Sequence, residues 1–295
     1  MTDAPQIGDI VFVLDGDNLV HRVYHSHAVD GYTAPDGTPL NAVIGWVRSI
    51  RRLRGFMGRI QSRWIVPCFD SRPSWRTGVW PQYKADRSER DPALEAQWPL
   101  IDEACAALGL QPQRHPGLEA DDLVASWTEA LVERGCSVVI VSNDKDLLQL
   151  VRPGVRQMRR EHGEIVLLGP DQVRARFGVA PDRLGDLLAL TGDASDGIPG
   201  LAGVGRKTAA KILAERGSLE QALANWMLVS PPLGECLRDH AAELRMYRDL
   251  VSLRVVEVDA GVLSPAHPSS RALTEFFGRF GYPRWESAVD PARGA

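Results

Sequence analysis

Residues 10–18 read IVFVLDGDN. An apolar run of strand length and β-type composition ends directly on Asp15. The same pattern recurs twice. WIVPCFD at 64–70 closes on Asp70, and SVVIVSND at 137–144 closes on Asp144. Helix-like stretches lie between the runs, at 40–60, at 95–109 with Leu-Gly at its end, and at 119–134 before Gly135. Strands alternating with helices predict a parallel sheet covered by helices on its faces. Ligands of such sheets gather at the carboxyl ends of the strands, so Asp15, Asp70 and Asp144 are expected along one edge.

Further acids join them. Pro116-Gly117-Leu118 breaks the chain before Glu119, Asp121 and Asp122, which fill the first turn of the next helix. Helix initiation alone explains acids there, because the helix dipole favours them; Glu119 and Asp122, three residues apart, also share a face. Asp144-Lys145-Asp146 reads either as an ordinary turn or as a site at a strand end. Asp193 and Asp196 follow in TGDASDGIPG. Nine carboxylates gathered at strand ends and helix starts repel one another unless a multivalent cation lies between them. Hard ions such as Mg²⁺ and Mn²⁺ take oxygen ligands and work beside phosphates, so the pattern points to metal-dependent phosphodiester chemistry.

Beyond about residue 176 the pattern becomes helical, with helices expected at 182–192 and 206–216. The segment Ile198-Pro-Gly-Leu201-Ala-Gly203-Val-Gly205-Arg206-Lys207-Thr208-Ala209 fits a helix-hairpin-helix. Its glycines allow a tight turn whose backbone N–H groups meet a phosphate at a helix start, and Lys207 adds charge. A nucleotide P-loop is disfavoured because Arg206 interrupts the required Gly-Lys-Ser/Thr; a plain packing element is the simpler alternative. His21, His25 and His27 lack the further ligands of a zinc site and read as local structure or phosphate-side contacts. Phe276, Phe277, Phe280 and Trp285 are expected to cap the core.

The 295 residues suffice for one large domain or two small ones, and the composition is that of a globular chain. No apolar run approaches the roughly 18 residues of a membrane span. The N-terminus lacks the pattern of a signal peptide. Cys68, Cys105, Cys136 and Cys236 show no metal or redox spacing and read as buried hydrophobes of a reducing, cytoplasmic compartment. The net charge of −4 conceals segregation: without the nine acids, 29 acidic residues face 34 basic ones. Eleven bases fall within 48–90, the later ones interleaved with Trp75, Trp80 and Tyr83. A solvated helix face accounts for Arg48 to Arg54; the later group suggests a polyanion surface.

From about residue 10 to 255 these motifs, in order and spacing, resemble the bacterial 5′→3′ exonuclease and flap-endonuclease family. The resemblance rests on Asp15-Gly16 with Asn18-Leu19 and Arg22, Phe69-Asp70, Tyr83-Lys84-Ala85-Asp86-Arg87, Glu119-Ala120-Asp121-Asp122, Asp144-Lys145-Asp146-Leu147, and Gly192-Asp193 through Asp196 into Ile198-Pro199-Gly200. It implies a PIN-like α/β core with a helical arch at about 71–97, both within residues 1–175. A mainly helical, helix-hairpin-helix subdomain with a C-terminal packing segment would occupy 176–295. It implies metal ligation by Asp15, Asp70, Glu119, Asp121, Asp122, Asp144, Asp146, Asp193 and Asp196. Two or more Mg²⁺ or Mn²⁺ ions would be held there, with a K⁺ ion at the hairpin. Lys84, Arg87 and Arg22 would meet the reacting phosphate. Arg76, Trp80, Tyr83, Gly203, Gly205, Arg206, Lys207 and Thr208 would contact DNA, the aromatic rings by stacking on unpaired bases.

The implied partners are DNA with 5′ flaps, overhangs, nicks or gaps, and RNA of RNA–DNA hybrids, bound by a monomer away from membranes. With no polymerase or proofreading segment following, the expectation is a stand-alone nuclease. Three features depart from the family pattern. Gly197 stands where Asn is usual, His21 replaces an aromatic residue, and the arch carries unusual tryptophans. A PIN-type ribonuclease and a non-catalytic DNA-junction binder are the alternative readings.

Overall fold

The parallel sheet forms where the apolar runs predict it, with an additional edge. In the computed structural model, residues 4–26, 31–86, 91–282 and 285–286 are described. Strand β1 (Ile10–Asp15) leads into helix α1 (Gly16–Tyr24), α2 (Asn41–Arg59) and β2 (Trp64–Cys68). Short helices α3 (Trp75–Val79) and α4 (Pro92–Glu95) precede α5 (Trp98–Ala107) and α6 (Ala120–Glu133), and then β3 (Ser137–Val141). Strands β4 (Val155–Glu161) and β5 (Glu164–Leu168) complete a sheet ordered β2-β1-β3-β4-β5. The first four strands run parallel and β5 pairs antiparallel with β4.

The register Asp15↔Cys68 and Leu14↔Val141 brings the ends of β1, β2 and β3 level. Alternation along β1 divides the core. Phe12 and Leu14 pack with α1, α2 and α5, whereas Val11 and Val13 pack with Leu123, Val124 and Trp127 of α6. Phe276 and Phe277 of the last helix also lie in the first of these layers, with Phe280 and Trp285 against it. The segment after about residue 256 thus returns to the sheet and does not join the helices that precede it.

Those helices are α7 (Pro170–Phe177), α8 (Leu184–Thr191), α9 (Arg206–Arg216), α10 (Leu219–Ala224), α11 (Pro231–Asp239) and α12 (Ala241–Leu250), with α13 (Ser270–Gly278) on the sheet side. Leu187, Leu188, Ile198, Leu201, Ala209, Leu213, Leu237 and Leu244 make their core. Tyr83 is buried in it too, so the segment after α3 is fastened to the helical layer.

Candidate active site: carboxylates at the strand ends

Asp15 caps α1 by accepting the Asn18 N–H at 3.0 Å, and its second oxygen accepts the Ser142 hydroxyl at 2.7 Å. A side chain at position 16 is excluded, because its Cβ would lie 2.4 Å from the Phe69 ring. Past β2, Asp70 donates its N–H to Asp17 at 2.7 Å, and its carboxylate accepts the Ala120 N–H at 2.8 Å. The β2 end is thereby tied to the first turns of both α1 and α6. Past β3, Asp144 donates its N–H to the Ser142 hydroxyl oxygen at 2.9 Å, and its carboxylate accepts the Asp146 N–H at 2.9 Å. Buried Gln157 of β4 donates to the Ser142 and Asp144 carbonyls at 2.9 and 2.6 Å, fixing that loop from beneath.

Two carboxylate groups result. Asp15, Asp121 and Asp144 face one another on a cleft of 970 Å³ that Asp17, Asp70, Lys84 and Glu119 also line. Burial first, then the negative charges of Asp144 and Asp17, push Asp15 up to about 7. Burial with the charges of Asp144 and Asp15 drives Asp121 well above the usual carboxylate range. In the second group, ligand oxygens of Asp146, Asp193 and Asp196 lie within 4.8 Å of one another. Burial, then Asp144, pushes Asp146 up to about 7, and its Oδ1 is buried with no hydrogen-bond partner. The Asp193–Ile198 bridge closes the loop carrying the last two acids, with Gly197 at φ +74°. That backbone strains most side chains, so glycine suits the turn.

Two lysines neutralise part of this charge. Lys84 Nζ lies 2.9 Å from Glu119 and 3.9 Å from Asp196, and the Tyr83 hydroxyl spans the same two acids at 3.1 and 2.9 Å. Lys145 Nζ lies 2.5 Å from Asp193 and 3.6 Å from Asp146. Although burial opposes it, Lys84 and Arg76 hold Glu119 below its usual value. Hydrogen bonds from Lys145 and Ser195 do the same for Asp193. The oxygen-only donors, their mutual repulsion and the Asp146 oxygen left without a hydrogen bond fit a hard divalent cation.

Several expected site residues lie elsewhere. Arg76, expected on DNA, is 2% exposed. Its guanidinium grips both oxygens of Asp122 at 2.8 Å, meets Glu119 at 3.2 Å and donates to the Leu250 and Ser252 carbonyls. Asp122, expected as a metal ligand, is fully buried and also accepts from Trp75 Nε1, the Arg254 N–H and the Glu119 N–H. Its oxygens are committed to these donors, so the carboxylate is part of the frame. Tyr83 is likewise buried with its hydroxyl engaged, so its ring is not presented for stacking, while Trp80 packs half-buried against Tyr247. Arg87 and His27 lie outside the described residues.

The remaining candidates occupy two places. Arg22 donates to Asn143 at 3.0 Å, while half-buried His21 lines the cleft. No histidine belongs to a metal-ligating group among the described residues. Gly203 and Gly205 are exposed, Gly205 caps α9, and Arg206, Lys207 and Thr208 form its first turn. The sequence reading missed Asp17, Ser142, Asn143, Gln157 and Lys145; Asp17 and Lys145 were visible as charges beside recognised acids.

The raised carboxyls of Asp15, Asp121 and Asp146 set a pH dependence. Asp15 and Asp146 titrate near 7 in the fold against a usual value of 3.8. Their stabilising contribution is complete below about pH 4 and is lost as pH rises through about 7. Glu119 and Asp193, whose values are lowered, contribute in the opposite sense, with losses confined to acid below their usual values of 4.5 and 3.8. The metal-free protein is therefore expected to melt at a lower temperature at about pH 8 than at about pH 5.5, with Mn²⁺ restoring the loss at the higher pH. Calorimetric melting checks this; a pH-independent, metal-insensitive Tm would contradict it.

The chain matches the family described as 5′-3′ exonuclease, N-terminal resolvase-like domain, over residues 10–178. It matches the 5′-3′ exonuclease C-terminal SAM fold over 179–263. It is 36% identical over 253 residues to the thermostable DNA polymerase I of Thermus aquaticus, covering 84% of this chain and 29% of that protein. It is 39% identical over 212 residues to DNA polymerase I of Treponema pallidum, covering 71% of this chain and 21% of that protein. The chain thus spans under a third of the length of these relatives. In fold it is similar to the T5 D15 protein co-crystallized with metal ions, at a TM-score of 0.70 and 20% identity, covering 92% of this chain and 98% of that one. It is also similar to the catalytic core of Rad2 in complex with DNA substrate, at a TM-score of 0.61 and 15% identity, covering 97% and 93%. Matched along both its sheet and its helical portions, the chain belongs to the 5′-3′ exonuclease family.

Proposed function

We propose that this chain is a divalent-metal-dependent 5′ nuclease that hydrolyses DNA phosphodiesters near junctions of single and double strands. The observation that carries the reading is the placement of two carboxylate groups side by side at the strand ends, with Lys84 and Tyr83 spanning Glu119 and Asp196. Asp15, Asp70, Asp121 and Asp144, with Glu119, would hold one Mg²⁺ or Mn²⁺ ion, and Asp146, Asp193 and Asp196 a second. Bound ions would supply an activated water and stabilise the leaving 3′-oxygen. Asp122 is assigned to positioning: it fixes Arg76, which in turn orients Glu119.

Lys84, drawn from Glu119 to a substrate phosphate, would neutralise charge that develops there. Tyr83, whose hydroxyl is pushed far up by burial beside Glu119 and Asp196, stays a proton donor to both acids. Residues 1–175 would carry most of the chemistry, with Asp193 and Asp196 reaching the second ion from the segment that follows. Within 176–295, the first turn of α9 with Gly203, Arg206 and Lys207 would grip duplex backbone without reading sequence.

The test is cleavage of an end-labelled 5′-flap duplex beside a matched single-stranded RNA, with Mg²⁺, with Mn²⁺ and with EDTA. Metal-dependent cutting near the flap junction is expected. Preferential cutting of the RNA would replace this reading by that of a ribonuclease, and salt-sensitive flap binding without cutting by that of a junction binder.

A further inference from the structure

Some half-buried arginines in this protein are matched to carboxylates, Arg248 to Asp186 at 2.6 Å and Arg152 to Glu129 at 2.7 Å, while Arg54 donates to the Ala266 carbonyl at 2.7 Å. Buried Arg76 is bound to Asp122 and Glu119 in the same way. Arg22, in the last turn of α1, is held by a neutral side chain beside the cleft. Its guanidinium donates to the amide oxygen of Asn143 at 3.0 Å, and among the described residues it has no carboxylate within ion-pair distance. The same Asn143 oxygen accepts the backbone N–H of Arg160 at 3.0 Å, and the Asn143 amide nitrogen donates to the Arg160 carbonyl at 3.1 Å. Asn143 therefore joins the end of α1 to β4 and brings a second arginine beside the first. Arg160 is exposed and likewise has no ion-pair partner among the described residues.

The two charges are felt. Burial first, and the positive charge of Arg160 second, hold the Arg22 guanidinium below arginine's usual value, with Asp15 acting in the opposite sense. Two neighbouring cations with no carboxylate in direct contact among the described residues are unfavourable in a partly desolvated position, and a bound anion would relieve them. The pair also lies at the lip of the cleft. Asn143 directly precedes Asp144, and its N–H points to Asn18, which lines the cleft, at 3.3 Å.

We propose that Arg22, Asn143 and Arg160 form a phosphodiester clamp that holds a nucleic-acid strand where it leaves the carboxylate cleft toward the β4–β5 edge. The resemblance to 5′ nucleases places Arg22 near phosphate; the geometry adds Asn143, which binds the Arg22 guanidinium and the Arg160 backbone, and so sets the exposed Arg160 side chain out from the same place. Guanidinium forks match phosphate oxygens in pairs, so both side chains suit the phosphates of a passing backbone. Contacts of this kind position a strand without reading its sequence. The inference rests on the nuclease reading for the identity of the polyanion.

The experiment is fluorescence anisotropy of a labelled 5′-flap DNA over a salt series, with Ca²⁺ in place of Mg²⁺, for the wild type and Arg160→Ala, Arg160→Lys, Arg160→Glu and Arg59→Ala. Arg59, exposed at the far end of α2, is the control for bulk charge. Arg160→Ala is expected to weaken binding about fivefold and to flatten the salt dependence by roughly one phosphate contact. Arg160→Glu should weaken binding further, Arg160→Lys less, and Arg59→Ala should match the wild type. Wild-type affinity and salt dependence in Arg160→Ala would overturn the clamp, as would an equal loss in Arg59→Ala. If the wild type itself binds no DNA, the nuclease reading falls first and the clamp with it.

Discussion

An Asp121→Asn variant is expected to lose about three orders of magnitude in phosphodiester cleavage, roughly 4 kcal/mol of transition-state stabilisation, while becoming more stable than the wild type without metal. Both effects come from one position. Asp121 stands in the first turn of α6 facing Asp15 and Asp144, and burial with those two charges drives its carboxyl well above the usual range. Asn keeps the shape of the side chain and removes the charge, so the repulsion that raises Asp15 and Asp121 is relieved at neutral pH. The same change deletes an anionic oxygen from the proposed ion site. Sites selected for chemistry commonly show such opposed effects on stability and activity. Single-turnover cleavage beside Tm in EDTA checks it. A variant that cleaves within tenfold of the wild type would remove Asp121 from the metal site.

Arg76→Ala is expected to cost about 3–5 kcal/mol of folding stability, the usual result of removing one partner from a buried ion pair. Asp122 is fully buried, and the substitution leaves its carboxylate with only Trp75 and two backbone donors. It also strands the Leu250 and Ser252 carbonyls, which tie the end of α12 to α3. Arg76→Lys should recover part of the loss, because one ammonium cannot span two carboxylates and two carbonyls. The double change Arg76→Met/Asp122→Leu should lose less stability than Arg76→Ala, since no buried charge is left behind. Urea denaturation measures all three. A loss below about 1 kcal/mol for Arg76→Ala would show that the network bears little of the fold.

Much of this site was legible because its signals are local. An apolar run ending in Asp gives both a strand and the place of its carboxylate, and β1, β2 and β3 all follow that rule. The helix expected at 206–216 is α9, since glycines bracket it at both ends. The roles of Arg76, Tyr83 and Asp122 were not legible. Arginine interleaved with aromatic rings is the composition of a nucleic-acid surface, and whether Arg76 faces solvent depends on Asp122 and Leu250, far away in the chain. Strand β4 was hidden by its polarity: VRQMRRE exposes Arg156 and Arg160 on a sheet margin, and Gln157 is buried only because it holds the loop before Asp146. Its turn into β5 passes through His162 and Gly163, both at positive φ, and only the glycine announces that conformation in sequence.

The central claim, that the strand-end carboxylates form a metal-dependent phosphodiester hydrolase acting on DNA, is tested most directly by titrating Mg²⁺ into single-turnover reactions on a 5′-flap duplex. Wild type and Asp121→Asn are to be compared in the same series. Cleavage close to the junction, absent in EDTA, rising with Mg²⁺ and reduced about a thousandfold in the variant, is the predicted result. Equal cleavage by wild type and variant, or no cleavage by the wild type at any Mg²⁺ concentration despite tight flap binding, would contradict it.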